Sequence, residues 1–306
     1  MRSIAIINQK GGVGKTTTTV HLAAGLANAG QRVLLIDLDP QAHTSLHLGT
    51  QLAPEQLSIY DVLVHDTALA DALHNVNDQL TLLPASLDLI GAELELGTRN
   101  NRDMILSEAL HTCNADFDIC LIDCPPSLGL LTINALAAVD EVLIPLQAHF
   151  LALQGLSRLL ETVTLVREVL NPRLCVTGVV LCMFERGTRL AQEVLADITQ
   201  FLANAAPEEP WYEARVFNTR IRRNIKLAEC PSFGQTVFEY APGSHGAEDY
   251  HALANELLGT QAVDESQAMP TPVSRPVEDV LPAPEITSAG VDTRAEPLAT
   301  ADDVKS

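Results

Sequence analysis

The chain has 306 residues, 47% of them hydrophobic, enough for one large or two small domains with a sizeable core. Its 19 Lys+Arg stand against 39 Asp+Glu, a net charge of −20 that opposes nonspecific attraction to DNA or acidic lipid, so nucleic-acid contact requires a local basic patch. No apolar run reaches the roughly 18 residues of a membrane span. A strand begins almost at the N-terminus, which argues against a secretory or transit segment. Six scattered cysteines without a Cys-x-x-Cys pair read as buried reduced thiols of a cytoplasmic protein.

The first element is an apolar strand, Ile4–Asn8, followed by Lys10-Gly-Gly-Val-Gly-Lys-Thr-Thr17 and a helical pattern over Thr16–Ala29. This is a phosphate-binding loop at a strand-to-helix junction. Gly11, Gly12 and Gly14, with Val13 between them, let backbone N–H groups turn toward a phosphate. The helix that follows points its positive end at the same anion. Lys15 reaches β/γ oxygens, and the Thr16 hydroxyl, with Thr17 beside it, is available for Mg²⁺. The usual pattern has glycine where Gln9 stands, and a second lysine, Lys10, opens the loop.

Strand Arg32–Asp37 runs into Asp37-Leu-Asp-Pro-Gln41, whose alternation puts Asp37 and Asp39 on one side if the strand continues. One carboxylate could position Mg²⁺ or the loop, the other the attacking water. Strand Leu80–Pro84 and helix Arg102–Cys113 precede strand Asp118–Asp123. Asp123 closes that strand before Cys-Pro-Pro, where a nucleotide enzyme places its Mg²⁺ carboxylate. Helix Leu130–Ala138, strand Glu141–Pro145, helix Gly155–Leu170, strand Leu174–Met183 and helix Leu190–Ala205 continue the alternation. A last strand over Tyr212–Phe217 and helix Gly246–Leu258 complete it.

Alternating strands and helices predict a three-layer, doubly wound α/β fold, a mostly parallel sheet with helices on both faces. Ligands gather at the carboxyl ends of such strands, where the loop, Asp39 and Asp123 fall. Near residue 261 the composition changes. Residues 261–306 hold six prolines, nine acidic and three basic residues, and no aromatic, and read as a disordered tail after a domain over 1–260. The nine histidines show no metal spacing. His43 and His47, four apart near the aspartates, are assigned to surface or loop packing.

Lys10–Thr17, Asp37–Gln41, Ile122-Asp-Cys-Pro-Pro126, Asn134-Ala-Leu, Ile144-Pro-Leu-Gln147 and Arg223–Gly234 resemble the deviant P-loop ATPases of the ParA/MinD superfamily, its ParA/Soj branch in particular. The resemblance extends through about residue 258. It implies an ATPase, weak alone and stimulated by a partner, that holds Mg-ATP. Lys10 would reach the ATP phosphates of a second copy in an ATP-bound homodimer. Lys15 and Thr16 would hold phosphate and Mg²⁺, Asp39 would be the catalytic aspartate that orients water, and Asp123 the Walker B carboxylate, both aspartates meeting Mg²⁺ through water.

Relatives of the ParA/Soj type bind double-stranded DNA without sequence preference through basic residues of this C-terminal region. The densest basic cluster here, the segment 215–226, holds Arg215, Arg220, Arg222, Arg223 and Lys226, with Arg186 and Arg189 nearby. The family usually shows proline where Arg222 stands, which adds a charge and puts the local turn in question. The expected role is to position or segregate a chromosome origin or plasmid with a ParB-like partner, in the cytoplasm and on the nucleoid. The alternative cargo is a protein assembly, such as a carboxysome, a chemoreceptor cluster or cellulose machinery. The MinD-like membrane cycle requires a basic amphipathic C-terminal helix, and this chain ends acidic and proline-rich.

Overall fold

The computed structural model describes residues 1–53, 55–113 and 116–259; the tail expected over 261–306 lies outside them. Eight strands form one sheet: β1 Arg2–Ile6, β2 Val33–Asp37, β3 His74–Asn75, β4 Leu80–Leu83, β5 Ile119–Asp123, β6 Glu141–Gln147, β7 Cys175–Cys182 and β8 Arg215–Val216. Their order is β3-β4-β2-β5-β1-β6-β7-β8, parallel throughout except that edge strand β3 runs antiparallel to β4. Eleven helices are described: α1 Lys15–Asn28, α2 His43–His47, α3 Ile59–Val64, α4 Leu89–Leu96, α5 Ile105–His111, α6 Leu130–Ala138, α7 Ala152–Val169, α8 Arg189–Ala203, α9 Ile225–Glu229, α10 Val237–Tyr240 and α11 His245–Leu258.

The central strands are apolar on both faces because both faces are covered. Ala5 and Ile7 pack into one core with Leu34, Ile36 and residues of α3 to α8. Ile4 and Ile6 pack into the other with Val33, Leu35 and residues of α1 and α11. This period of two along each strand makes the sheet the middle layer. Each fully buried Leu or Ile contributes about 1.5–3 kcal/mol relative to exposure.

Short elements are set by caps. Ser58 and Asp61 form a capping box at α3, and Thr236 and Glu239 form one at α10. Ser244 caps α11, which ends at Gly259 in the left-handed region (φ 71°).

Every strand and helix expected from the sequence is present, α6 with the expected ends and the others with shifted ones. The last strand shrinks to β8, two residues long. The short helix that carries His43 and His47 is present as α2, while α3, α4, α9, α10 and β3 are too short to show a periodic pattern in the sequence. Cys175 is exposed on β7, a correction to the expectation of uniformly buried thiols; the other five cysteines are buried, and all six are free. No described helix is long and apolar enough to cross a membrane.

Candidate functional site

The parallel register lines up the carboxyl ends of β1, β2 and β5. Ile6 and Asp37 both sit opposite Asp123. The loop between β1 and α1 rises over this edge. Asn8 fixes its entry, donating from Nδ2 to the Pro145 carbonyl (2.8 Å) and accepting the Lys10 N–H at Oδ1 (3.0 Å). Gly12 (φ 74°) and Gly14 (φ 97°) take left-handed backbone, and Gly14 is the N-cap of α1. That conformation strains any residue with a Cβ and frees the first N–H groups of the helix for an anion.

A cavity of about 800 Å³ opens here. Gly11, Gly12, Gly14, Lys15, Thr16, Thr17 and Asp39 line one end, and Met183, Ile221, Ile225 and Leu227 give the other an apolar wall. A polar, cationic end and an apolar slot match the two halves of a nucleotide. Lys15 is 7% exposed and makes no ion pair among the described residues; its Nζ finds only the Lys10 carbonyl, at 3.5 Å. Burial pulls its pKa down, against the attraction of Asp123 and Asp39. A buried ammonium so poorly partnered is a site for an anion. The Val13 side chain turns into the protein and is buried. Lys10 is exposed, outside the lining of this cavity.

Asp123 is fully buried and gathers three hydroxyls. Thr16 and Thr44 donate to Oδ2, each at 2.7 Å, and Thr19 donates to Oδ1 at 3.2 Å. Burial pushes its pKa up, and the Thr44 and Thr16 bonds pull it back. Thr16 is thus held between the phosphate end of the cavity and a carboxylate, the arrangement a Mg²⁺ site needs. Thr19 and Thr44 are partners the sequence reading missed. Thr44 lies on α2, and no local pattern ties that helix to Asp123.

Asp37 and Asp39 do not work as a pair, because β2 ends at Asp37. Asp37 is buried and accepts from the Ser45 N–H (2.8 Å), the Ser45 hydroxyl (2.7 Å) and the Asp39 N–H (3.3 Å). It therefore holds the start of α2. Burial and then Asp123 raise its pKa to about 7 against those bonds. Asp39 lines the cavity and accepts the Gln41 N–H at 2.9 Å.

The basic residues divide. Arg189 pairs with Glu193 (2.7 Å), Arg223 with Glu185 (3.2 Å) and Lys226 with Glu229 (2.8 Å). Arg222 pairs with Asp249 (2.6 Å) and Glu248 (3.1 Å), and its backbone N–H also donates to Asp249 (2.9 Å). A proline there has no such donor, so this turn is held differently from one built on the usual family residue. Arg222 and Arg223 also line the cavity. Arg186 and Arg220 have no ion pair among the described residues, and the Arg220 guanidinium stands 6.0 Å over the Phe184 ring. Asn134 is buried and structural: it bonds the Arg102 carbonyl (2.7 Å) and the Leu106 N–H (3.2 Å), tying α6 to the start of α5.

The histidines need correction. His47 is buried rather than a surface or loop residue, and it meets His21 and Cys230 from distant parts of the chain.

Residues 1–176 match the family model described as "AAA domain". The chain is 44% identical over 258 residues to the chromosome partitioning protein ParA of Myxococcus xanthus, covering 84% of this chain and 88% of that protein. It is 44% identical over 255 residues to the sporulation initiation inhibitor protein Soj of Bacillus subtilis, covering 83% and 97%. Among solved structures, cobyrinic acid a,c-diamide synthase from Mycobacterium smegmatis with bound ADP and magnesium superposes with a TM-score of 0.71 at 36% identity, covering 84% of this chain and 94% of that one. With the loop, the two aspartates and the sheet order in place, the chain belongs to the ParA/Soj family of P-loop partitioning ATPases.

Proposed function

We propose that this ATPase is a Mg-ATP-dependent switch that dimerises around its nucleotide, binds double-stranded DNA nonspecifically and positions a chromosome origin or plasmid with a ParB-like stimulating partner. The observation that carries the reading is the buried Lys15, without an ion pair among the described residues, beside the Thr16–Asp123 pair, with Lys10 exposed outside the same cavity. Lys15 and the backbone N–H groups of 11–17 hold the phosphates. Thr16, with Asp39 and Asp123 behind it, would hold Mg²⁺ at that end of the cavity. Mg²⁺ held there would supply positive charge to the phosphate end of the cavity. Asp39 orients the attacking water, and Asp123, through Thr16, keeps the cation end in register.

Lys10 serves a second copy. A cation supplied across the interface stabilises the charged transition state and makes hydrolysis depend on dimerisation. Lys10→Ala then keeps nucleotide binding but loses the ATP-dependent dimer on size-exclusion chromatography; an unchanged dimer refutes this assignment.

For DNA, the ion-paired state of Arg189, Arg222, Arg223 and Lys226 turns attention to Arg186 and Arg220, whose guanidiniums make no ion pair among the described residues. Arg186→Glu with Arg220→Glu should abolish DNA retention at low salt and leave the ATP-bound dimer intact. In the milder pair Arg186→Ala with Arg220→Ala, loss of two phosphate contacts should lower the salt slope by about 1.8 per protomer. Retained DNA with an unchanged slope refutes it.

A further inference from the structure

His21 on α1, His47 on α2 and Cys230, just after α9, converge beside the nucleotide cavity, where the His21 ring stands 5.1 Å from that of the lining residue Tyr250. All three are buried, and their donor atoms lie within 4.8 Å of one another. The Cys230 Sγ is 3.5 Å from His47 Nε2 and 3.6 Å from His21 Nε2. We propose that this trio is a binding site for one Zn²⁺-class ion, separate from the Mg²⁺ position.

Two imidazoles and a thiolate are the donors such an ion selects. Zn–N of about 2.0 Å and Zn–S of about 2.3 Å at a tetrahedral angle put N and S about 3.5 Å apart, so both nitrogens already stand at that spacing from the sulfur. His47 Nε2 faces the sulfur, and the ring's other neighbour is the Gln235 backbone, so no other donor competes for that nitrogen among the described residues. His21 is set the other way. Its Nδ1 accepts the Val237 N–H (3.2 Å), so in the metal-free protein Nε2 carries the ring proton.

Binding has a definite proton balance. The thiol proton leaves to solvent, the His21 ring proton moves from Nε2 to Nδ1, and the Val237 N–H gives up its acceptor. His47 and Cys230 are therefore the primary ligands and His21 the weakest. The ion joins α1, α2 and the Cys230 turn, three elements around the nucleotide cavity, and its binding loosens the first turn of α10, where Val237 lies. That gives the cluster a means to alter nucleotide exchange without touching nucleotide.

The test uses the full chain, reduced, chelator-treated and nucleotide-free. Titration with Co²⁺ should give a thiolate-to-cobalt charge-transfer band that saturates at one equivalent and is displaced by Zn²⁺. An oxygen-only Mg²⁺ site gives no such band. Cys230→Ser and His47→Gln should abolish it, His21→Gln should weaken binding less, and Cys182→Ser should leave it unchanged. No band in the wild-type chain overturns the proposal whatever the variants do, since the trio is then hydrogen-bonded packing alone. A band that survives Cys230→Ser overturns it as well.

Discussion

Asp249 holds the apolar wall of the nucleotide cavity, and its removal should be felt twice. Its side chain is 9% exposed and meets Arg222 three ways: the backbone N–H at 2.9 Å, Nε at 3.0 Å and Nη2 at 2.6 Å. A hydrogen bond from backbone N–H to a charged acceptor is worth about 1.5–3 kcal/mol. The guanidinium is 40% exposed, so its ion pair is discounted to about 0–1 kcal/mol. Asp249→Ala should therefore cost about 2–3 kcal/mol in urea unfolding with the m-value unchanged. Asp249→Asn keeps an oxygen for the backbone N–H and should cost about 1 kcal/mol. Ile221, Arg222, Arg223 and Ile225 line the cavity, so ATP affinity by calorimetry should fall in the same order, about tenfold for alanine if 1.4 kcal/mol of the loss reaches the site. Equal costs for the two variants would show that the backbone bond carries nothing and refute the reasoning.

Thr44→Val removes a 2.7 Å hydroxyl bond from Asp123 and should raise that carboxyl's pKa further; Mg²⁺ affinity measured with ADP present should drop about tenfold, and an unchanged affinity counts against the Thr44 assignment. Glu141 is held below its ordinary pKa of 4.5 by Arg2 and Thr177, against burial that pushes it up. A depressed folded-state pKa gives stability that is present above about pH 4.5 and lost as pH falls through the folded value. Glu141→Gln should therefore flatten the fall of thermal stability below pH 4.5, and an unaltered acid limb would contradict the ion-pair assignment.

What the sequence discloses here follows contact range. The phosphate loop is legible because its parts lie within eight residues at a fixed junction, and Asp123 because it ends an apolar strand. The two apolar faces of the sheet follow from strands long enough to show continuous hydrophobicity. What surrounds Asp123 is not legible, since Thr44 comes from a five-residue helix 79 positions away. Asp37 and Asp39 look equivalent by alternation until β2 stops and Ser45 captures the first. Cys230 and His21 are 209 positions apart, and no spacing rule joins them. The basic cluster is legible as composition, but whether Arg222 and Arg223 are already neutralised depends on α11 and Glu185, which only the fold brings alongside.

The C-terminal helix shows how far the site reaches. Asp249 and Glu256, seven residues apart, lie two turns along one face of α11. Asp249 holds Arg222, and Glu256, itself buried, accepts the N–H groups of Asn218 (2.7 Å) and Thr219 (2.8 Å). Tyr250 lines the cavity and lies 3.2 Å from the Thr18 hydroxyl on α1. One helix thus joins the phosphate-loop helix to the wall that faces it, so opening α11 releases that wall, and nucleotide binding opposes the opening. A ligand at 100 times its Kd stabilises the bound form by about 2.7 kcal/mol, or roughly 100-fold. ADP at that level should slow hydrogen exchange in α11 by up to about 100-fold, together with α1, and Asp249→Ala should reduce that added protection. Full protection of α1 with none added in α11 would show that the two helices open independently and that α11 is packing alone.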